Sequence, residues 1–250
     1  MKNKYRKLIV IANFLTILVA LIVGGVGVLH SHLFDVKVVE VEDLPDNAPL
    51  SAQEIMDVAH VPLEEINLFS LRLEPIKNRL VSHPWIKQVR LSKKFPQTVG
   101  ISVVFREPVA LFQDKNNGLF YVDSESRVFA PVNLELPFEL PVILGVEQDK
   151  IQTVISFLQE WKNRGLSQNY SLSSVELDRE QNIRFVATYD VSGITARSMI
   201  EFGQSFDTDL DSRVARLQEV LRYLQKNNIK AHHVFANLGK KIVVRFSQRS

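Results

Sequence analysis

No cysteine occurs in the 250 residues, which excludes structural disulfides, thiolate zinc sites and a cysteine nucleophile together. That absence leaves the redox compartment open. Neither sign of charge dominates: 30 Lys and Arg against 28 Asp and Glu give a formal net charge of +2. The basic residues are scattered rather than striped, so the electrostatic footprint of a nucleic-acid binder is missing. No G-x-S-x-G, H-E-x-x-H or G-x-x-x-x-G-K-[ST] occurs, so the hydrolase, zincin and P-loop signatures fail together. No internal repeat or low-complexity linker interrupts the chain. The expectation is a protein without a catalytic site, cofactor or metal, one that acts by binding.

Charge is also missing from residues 8–29, an apolar run of roughly 22 residues, close to the ~20 needed for a helix to cross a hydrocarbon core. The sequence predicts a single transmembrane helix there. Lys2, Lys4, Arg6 and Lys7 precede it and favour a cytoplasmic tail at 1–7, with everything after His30 outside. A cleaved signal peptide is the rival reading, but its apolar region is typically about 7 to 15 residues. Gly25-Val26-Gly27 also makes a poor cleavage site.

After the apolar run, Val36, Val38, Val39 and Val41 predict a short strand ending at Leu44-Pro45. Ser51-Ala52-Gln53-Glu54 has the pattern of a capping box, which predicts a helix with Ile55, Val58 and Ala59 on its apolar face and Pro62 closing it. A second helix is predicted from about Arg72 to Val81, with Leu73, Ile76, Lys77 and Leu80 at helical spacing. Pro84 ends that pattern. Strands are then expected from Trp85, through Gln88/Val89 and Leu91, and from Thr98, where Val99, Ile101, Val103 and Phe105 alternate. Trp85 has two readings, a core anchor of this sheet or a binding hot spot.

Glu107-Pro108 stops the last of these strands and opens a second domain. Short strands are predicted at Val109 to Phe112, Gly118 to Val122 and Val128 to Ala130, with Asn116-Asn117-Gly118 as a tight turn. Ile151, Val154, Ile155, Leu158 and Trp161 mark a helix ending near Arg164-Gly165. Further strands are expected at Ser173 to Leu177, Arg184 to Thr188 and Ile194 to Ile200. A helix from about Leu210 to Leu224 follows, striped by Leu210, Val214, Leu217, Leu221 and Leu224. Ala231 to Phe235 and Lys241 to Phe246 close the pattern as a hairpin.

Candidate sites are few. Asp207, Asp209 and Asp211 imitate the first ligands of a calcium loop, but Ser212 and Gln218 stand where that loop needs glycine and glutamate. They read better as carboxylates at a helix N-terminus. His232 and His233, adjacent on a strand, point to opposite faces and cannot readily share one metal. At the junction, Arg106, Glu107 and Pro108 set the passage between domains, with Arg106 and Glu107 either paired across it or separately solvated. The terminal strand is the strongest candidate. Ile242, Val244 and Phe246 are expected to face the core, and Lys241, Val243 and Arg245 to face outward. An edge strand offers unpaired amides and carbonyls to a partner's strand, while Lys241 and Arg245 could instead blunt that edge.

The order of these motifs resembles the FtsQ/DivIB family of bacterial division proteins. The resemblance is carried by Phe34-Asp35-Val36 through Val41, Asn67-Leu68-Phe69, Pro84-Trp85-Ile86, Phe95-Pro96 and Arg106-Glu107-Pro108-Val109-Ala110. It continues through Tyr121-Val122-Asp123, Arg127-Val128-Phe129 and Leu140-Pro141-Val142-Ile143-Leu144-Gly145. It implies an α+β architecture: the N-terminal transmembrane helix at 8–29, a POTRA-like β-α-α-β-β domain at 34–106, and a mixed or antiparallel β-rich domain with two main helices at 107–250. It also implies a single-pass protein of the inner (cytoplasmic) membrane at the division septum, with no enzymatic activity and its bulk in the periplasm or outside. The implied partners are an FtsB/DivIC-like and an FtsL-like division protein, with other divisome proteins met through the POTRA-like domain. On this resemblance the partner-binding residues are Gly239, Lys240, Lys241, Ile242, Val243, Val244, Arg245 and Phe246. Of the family's D-x-R-Y-x-x-G motif before the last strand, only Gly239 is kept in His233 to Gly239. A POTRA-bearing export or assembly component and an exported cell-wall enzyme are the alternatives. The first should carry repeated POTRA units or a barrel, and the second a reactive constellation, and the sequence has neither.

Overall fold

The computed structural model describes residues 2–29, 31–133, 138–178, 180–191, 193–204, 210–239 and 241–246; within the first helix side chains are described for 13–25 and 27. That helix, α1, runs Lys2–Leu29 without a break, and Phe14, Leu15, Ile17, Leu21 and Val23 are exposed on it. Among the described residues no helix is long and apolar enough to cross a membrane. The predicted span at 8–29 lies partly outside the described side chains.

The fold is α+β, in two compact units divided between Arg106 and Glu107. Each has its own apolar core. In the first unit the elements are β1 (Val38–Glu42), α2 (Ala52–Ala59), α3 (Leu73–Ser82), β2 (Ile86–Lys94) and β3 (Thr98–Phe105). The sheet order is β1-β3-β2, with β1 parallel and β2 antiparallel to the central β3. Both helices give apolar faces to this sheet: Ile55 and Ala59 from α2, Ile76 and Leu80 from α3. Leu68 and Leu71, in the connection between the two helices, are also core residues.

Local chemistry explains the helix limits. Ser51 and Glu54 form the expected reciprocal capping box at the start of α2. The helix ends before Pro62. His60 takes a left-handed conformation (φ 45°) and its amide bonds back to the Met56 carbonyl, while Arg79 donates to the Ala59 carbonyl from Nε and Nη2 at 3.1 and 2.6 Å. On α3, Lys77 leaves the apolar face and lies 3.9 Å from Glu74 at the surface. In β2 the buried residues are Ile86 and Val89, while Trp85 packs half-buried against the core just ahead of the strand. A bulge between Ile86 and Gln88 gives the strand an extra residue, so an even-numbered and an odd-numbered position share one face. The mixed spacing at Trp85, Gln88/Val89 and Leu91 has that cause.

The second unit contains β4 (Pro108–Gln113), β5 (Leu119–Asp123), β6 (Val128–Pro131), β7 (Val142–Leu144), α4 (Ile151–Asn163), β8 (Ser171–Leu177), β9 (Asn182–Val191), β10 (Ile194–Gln204), α5 (Leu210–Lys226), β11 (Ala231–Leu238) and β12 (Lys241–Phe246). They form a nine-stranded sheet ordered β12-β11-β10-β9-β8-β7-β4-β5-β6. β7 is parallel to both β4 and β8 and joins the two halves of the sheet, although the sequence predicts no strand there. A three-residue strand is too short for a period-two signal. In β9, Ile183, Phe185, Ala187, Tyr189 and Val191 are buried while their neighbours are less so, the alternation of a sheet covered on one face. From α4, Ile151, Val154, Ile155, Phe157 and Trp161 join the core; from α5, Val214, Leu217, Leu221 and Leu224 do. Phe157, absent from the expected stripe, is fully within it, and Leu158 is only half-buried.

Candidate functional site: the terminal edge strand

The edge at β12 is built by three neighbouring elements. β10 leads through α5 into β11, which lies parallel to β10; a parallel neighbour needs such a crossover, and a helix supplies it. β11 then turns at Gly239 and returns as β12, antiparallel to it. Arg213, buried on α5, donates from Nη1 to the carbonyls of Phe202 and Gln204, both at 3.1 Å, and its guanidinium lies 5.5 Å from the Phe202 ring centre. One turn on, Arg216 donates from Nη2 to the Gly239 carbonyl at 3.2 Å. The helix thus holds both the end of β10 and the hairpin turn.

Among the described residues β12 has β11 as a strand neighbour on one side and none on the other. Its two faces differ. Ile242 and Val244 are half-buried against the core, as alternation predicts, and Lys241, Val243 and Arg245 are exposed. Phe246 departs from the expectation in burial: it stands opposite buried Ala231, on the same side of the sheet as Val244, yet it is 53% exposed, so the core leaves this last described position of the strand largely uncovered. Lys240 lies outside the described residues.

On the solvent side a strip of side chains runs from β10 across β11 to β12. His233 Nε2 lies 3.1 Å from Glu201 Oε1. Its ring stacks on Phe235 with centroids 4.2 Å apart and planes at 11°. Arg245 places its guanidinium 5.7 Å from the centre of the Phe235 ring. No local sequence pattern marks this strip. Glu201 and His233 are 32 residues apart, and only the parallel pairing of β10 with β11, which sets Glu201 opposite Phe235, brings them together.

Of the two adjacent histidines only the half-buried His233 belongs to this strip; His232 is exposed on the opposite face. Asp207 and Asp209 lie outside the described residues. Among the described residues no group of three or more His, Asp or Glu side chains could hold a metal ion. Arg106 is buried and its amide donates to the Trp85 carbonyl at 2.8 Å. Glu107 is exposed, and Pro108 opens β4, a position where a strand tolerates proline.

Two family models match the chain. One described as "POTRA domain, FtsQ-type" matches residues 34–105, and one described as "Cell division protein FtsQ/DivIB, C-terminal" matches residues 110–235. Among similar proteins, the cell division protein FtsQ of Geotalea daltonii is 26% identical over 226 residues, covering 85% of this chain and 76% of that protein. The cell division protein FtsQ of Anaeromyxobacter sp. (strain K) is 26% identical over 233 residues, covering 86% and 74%. The cell division protein FtsQ of Rickettsia felis is 47% identical over a shorter stretch of 58 residues, covering 23% and 21%. With both models in sequence order and long relatives aligned across most of its length, the chain belongs to the FtsQ/DivIB family of cell division proteins.

Proposed function

We propose that this chain is a membrane-anchored assembly protein of the divisome that receives an FtsB/DivIC-like partner, together with an FtsL-like chain, by strand addition along β12. It acts by binding and carries out no turnover. The observation that carries this reading is the position of β12 at the end of the nine-stranded sheet. Backbone amides and carbonyls on an unpaired edge are the groups that strand addition uses. The contacting residues are Gly239 and Lys240 to Phe246, with Val243 and Phe246 supplying exposed apolar surface and Lys241 and Arg245 supplying charge. The two cations guard the edge against indiscriminate pairing and favour an acidic partner strand.

The anchor is the apolar run at 8–29. Its support is the absence of charge there, the basic residues ahead of it, and a helix that exposes apolar side chains along its described length, a pattern that water does not stabilise. Residues 1–7 then stay in the cytoplasm and the two units work on the outer side of the inner membrane, at the septum. The POTRA-like domain at 34–106 meets other divisome proteins, and Arg106, Glu107 and Pro108 carry the chain from it into the domain at 107–250. The test is co-purification of the full chain with its FtsB/DivIC-like and FtsL-like candidates, with and without residues 237–250. Loss of the partner on truncation supports docking through the residues of β12, and equal recovery overturns their part in it. Depletion in cells separates the division role: filaments without septa support it, and normal septation overturns it.

A further inference from the structure

The first unit carries a second exposed apolar feature, at the point where the chain enters it. Phe34, Phe69 and Phe95 form a cluster with ring centres 5.0 Å apart for Phe34 and Phe69 and 4.7 Å for Phe69 and Phe95. Yet Phe69 is 44% and Phe95 55% exposed, and neighbouring Leu33 is 66% exposed. Aromatic side chains that contact one another and still face water form a contiguous patch, which a soluble surface ordinarily avoids.

The patch is fixed in place. Asn67 donates its side-chain amide to the Ser31 carbonyl at 3.1 Å, Gln97 donates to the Leu33 carbonyl at 3.1 Å, and the Leu68 amide donates to the Phe34 carbonyl at 2.7 Å. The segment just after α1, which carries Phe34, is therefore bonded to both loops that carry Phe69 and Phe95. Two lysines flank it. Lys93 donates from Nζ to the Phe69 carbonyl at 3.3 Å, and Lys37, exposed, is held by its amide to the Gln97 carbonyl at 2.9 Å.

Covalent reach decides what this patch meets. From Leu29, the last residue of the apolar run, to Leu33 is four residues, which span at most about 14 Å when fully extended. The headgroup layer on each side of a bilayer is about 5 to 8 Å thick. Whatever the direction of α1, the patch is confined to the neighbourhood of the membrane surface, and the tether makes that surface present at high effective concentration. Apolar and aromatic side chains flanked by lysine suit the boundary between acyl chains and anionic headgroups.

We infer that Leu33, Phe69 and Phe95 form a membrane-interface foot, which seats the first unit on the phospholipid surface with Lys37 and Lys93 against anionic headgroups. The inference rests on residues 8–29 being the anchor. Its consequence is a fixed height and tilt of the first unit, so that it does not swing freely on its tether.

The absence of cysteine allows a direct test in the full chain. Single variants Leu33→Cys, Phe69→Cys, Phe95→Cys, Leu18→Cys and Val104→Cys are each labelled with an environment-sensitive nitrobenzoxadiazole probe. They are reconstituted into phosphatidylethanolamine and phosphatidylglycerol vesicles containing nitroxide-labelled lipids. Val104 is the control in the same unit: it is exposed and lies six strand residues, roughly 20 Å, beyond Thr98. Probes at 33, 69 and 95 are expected to shift to the blue and lose emission to shallow nitroxides, and the probe at 104 to do neither. Leu33 is exposed and outside both cores, so its variant reports even if a phenylalanine replacement disturbs folding. Quenching at 18 by deep nitroxides without any at 33, 69 and 95 overturns the foot and leaves the anchor standing. No quenching at 18 overturns the anchor itself. A blue shift at 69 and 95 that requires a co-reconstituted FtsB/FtsL-like pair, with no lipid quenching, assigns the patch to a protein and also overturns the foot.

Discussion

The hydroxyl of Tyr189 donates to that of Ser198, with 2.9 Å between the oxygens. The direction follows from the next bond, in which Ser198 gives its single proton to the carbonyl of Ala231 at 2.7 Å. Ser198 is fully buried, and the relay ties β9, β10 and β11 together on the inner side of the sheet. Ser198→Ala removes both bonds and leaves a buried phenol unsatisfied, at a cost of about 1 to 3 kcal/mol. Tyr189→Phe keeps the Ser198 to Ala231 bond and costs less, about 1 kcal/mol. The chain has 2 tryptophans, one in each unit, so urea unfolding followed by Trp161 fluorescence in a Trp85→Phe background measures the difference. Equal effects of the two substitutions would refute the assigned direction.

Acid should loosen the helical layer of the first unit in two stages. Burial holds the His83 imidazole below its ordinary pKa of 6.5, and its Nδ1 has no hydrogen-bond partner among the described residues. Glu54 lies below its ordinary 4.5, first because the Ser51 amide donates to its carboxylate and then because the Ser51 hydroxyl does. In both cases the folded pKa is the lower one, so the unfolded chain takes up more protons. Both contributions are complete above the unfolded values and are lost as pH falls, His83 first below about 6.5 and Glu54 below about 4.5. Hydrogen exchange over 51–60 and 73–83 reads the two stages. His83→Gln should abolish the upper one, and Ser51→Ala should weaken the lower one and speed exchange in α2 about fivefold at neutral pH, the effect of losing a cap.

Phe157 should be among the costliest positions in the second unit. Its ring lies 5.9 Å from Trp161, 5.3 Å from Phe185 and 5.6 Å from Phe202, centre to centre. Phe157→Ala opens a cavity among three aromatic neighbours and should cost about 3 to 5 kcal/mol. Leu158→Ala, one residue on and half-buried, should cost clearly less. Urea midpoints from Trp161 fluorescence decide it, and a reversed order would mean that the other face of α4 packs on the sheet.

Gly239 tests the hairpin directly. It has φ of 67°, and a Cβ built there meets nothing within 4 Å. The penalty for Gly239→Ala is therefore conformational alone, about 1 to 2 kcal/mol, and Gly239→Asn should cost less because asparagine tolerates this region. Protection of β11 and β12 amides against exchange should fall in the order glycine, asparagine, alanine. Equal protection in all three would show that the turn relaxes without strain.

Regular periodicity made most of the fold legible. Val99 and Ile101 announced β3, and Val214, Leu217, Leu221 and Leu224 announced α5, because each pattern spans enough residues to separate a period of two from one of 3.6. The failures have local causes. The bulge at Ile86/Gln88 exchanged the faces of β2, β7 was too short to show a period, and His60 ended α2 by a backbone conformation that a non-glycine residue rarely adopts. At the candidate site the outward facing of Lys241, Val243 and Arg245 was legible from alternation. The exposure of Phe246 has no signature in the alternation, which continues through it, and the stacking of His233 on Phe235 beside Glu201 depends on a parallel pairing that no local pattern encodes.

The outermost place of β12 also governs what truncation means. Removing residues 237–250 does not abolish a free edge; it transfers that edge inward to β11, where His233 and Phe235 then stand at the margin. A partner satisfied by any open backbone would find a substitute there. Loss of binding after truncation would therefore mark a partner that recognises the side chains and register of β12 itself, making the last hairpin an address as well as a docking rail.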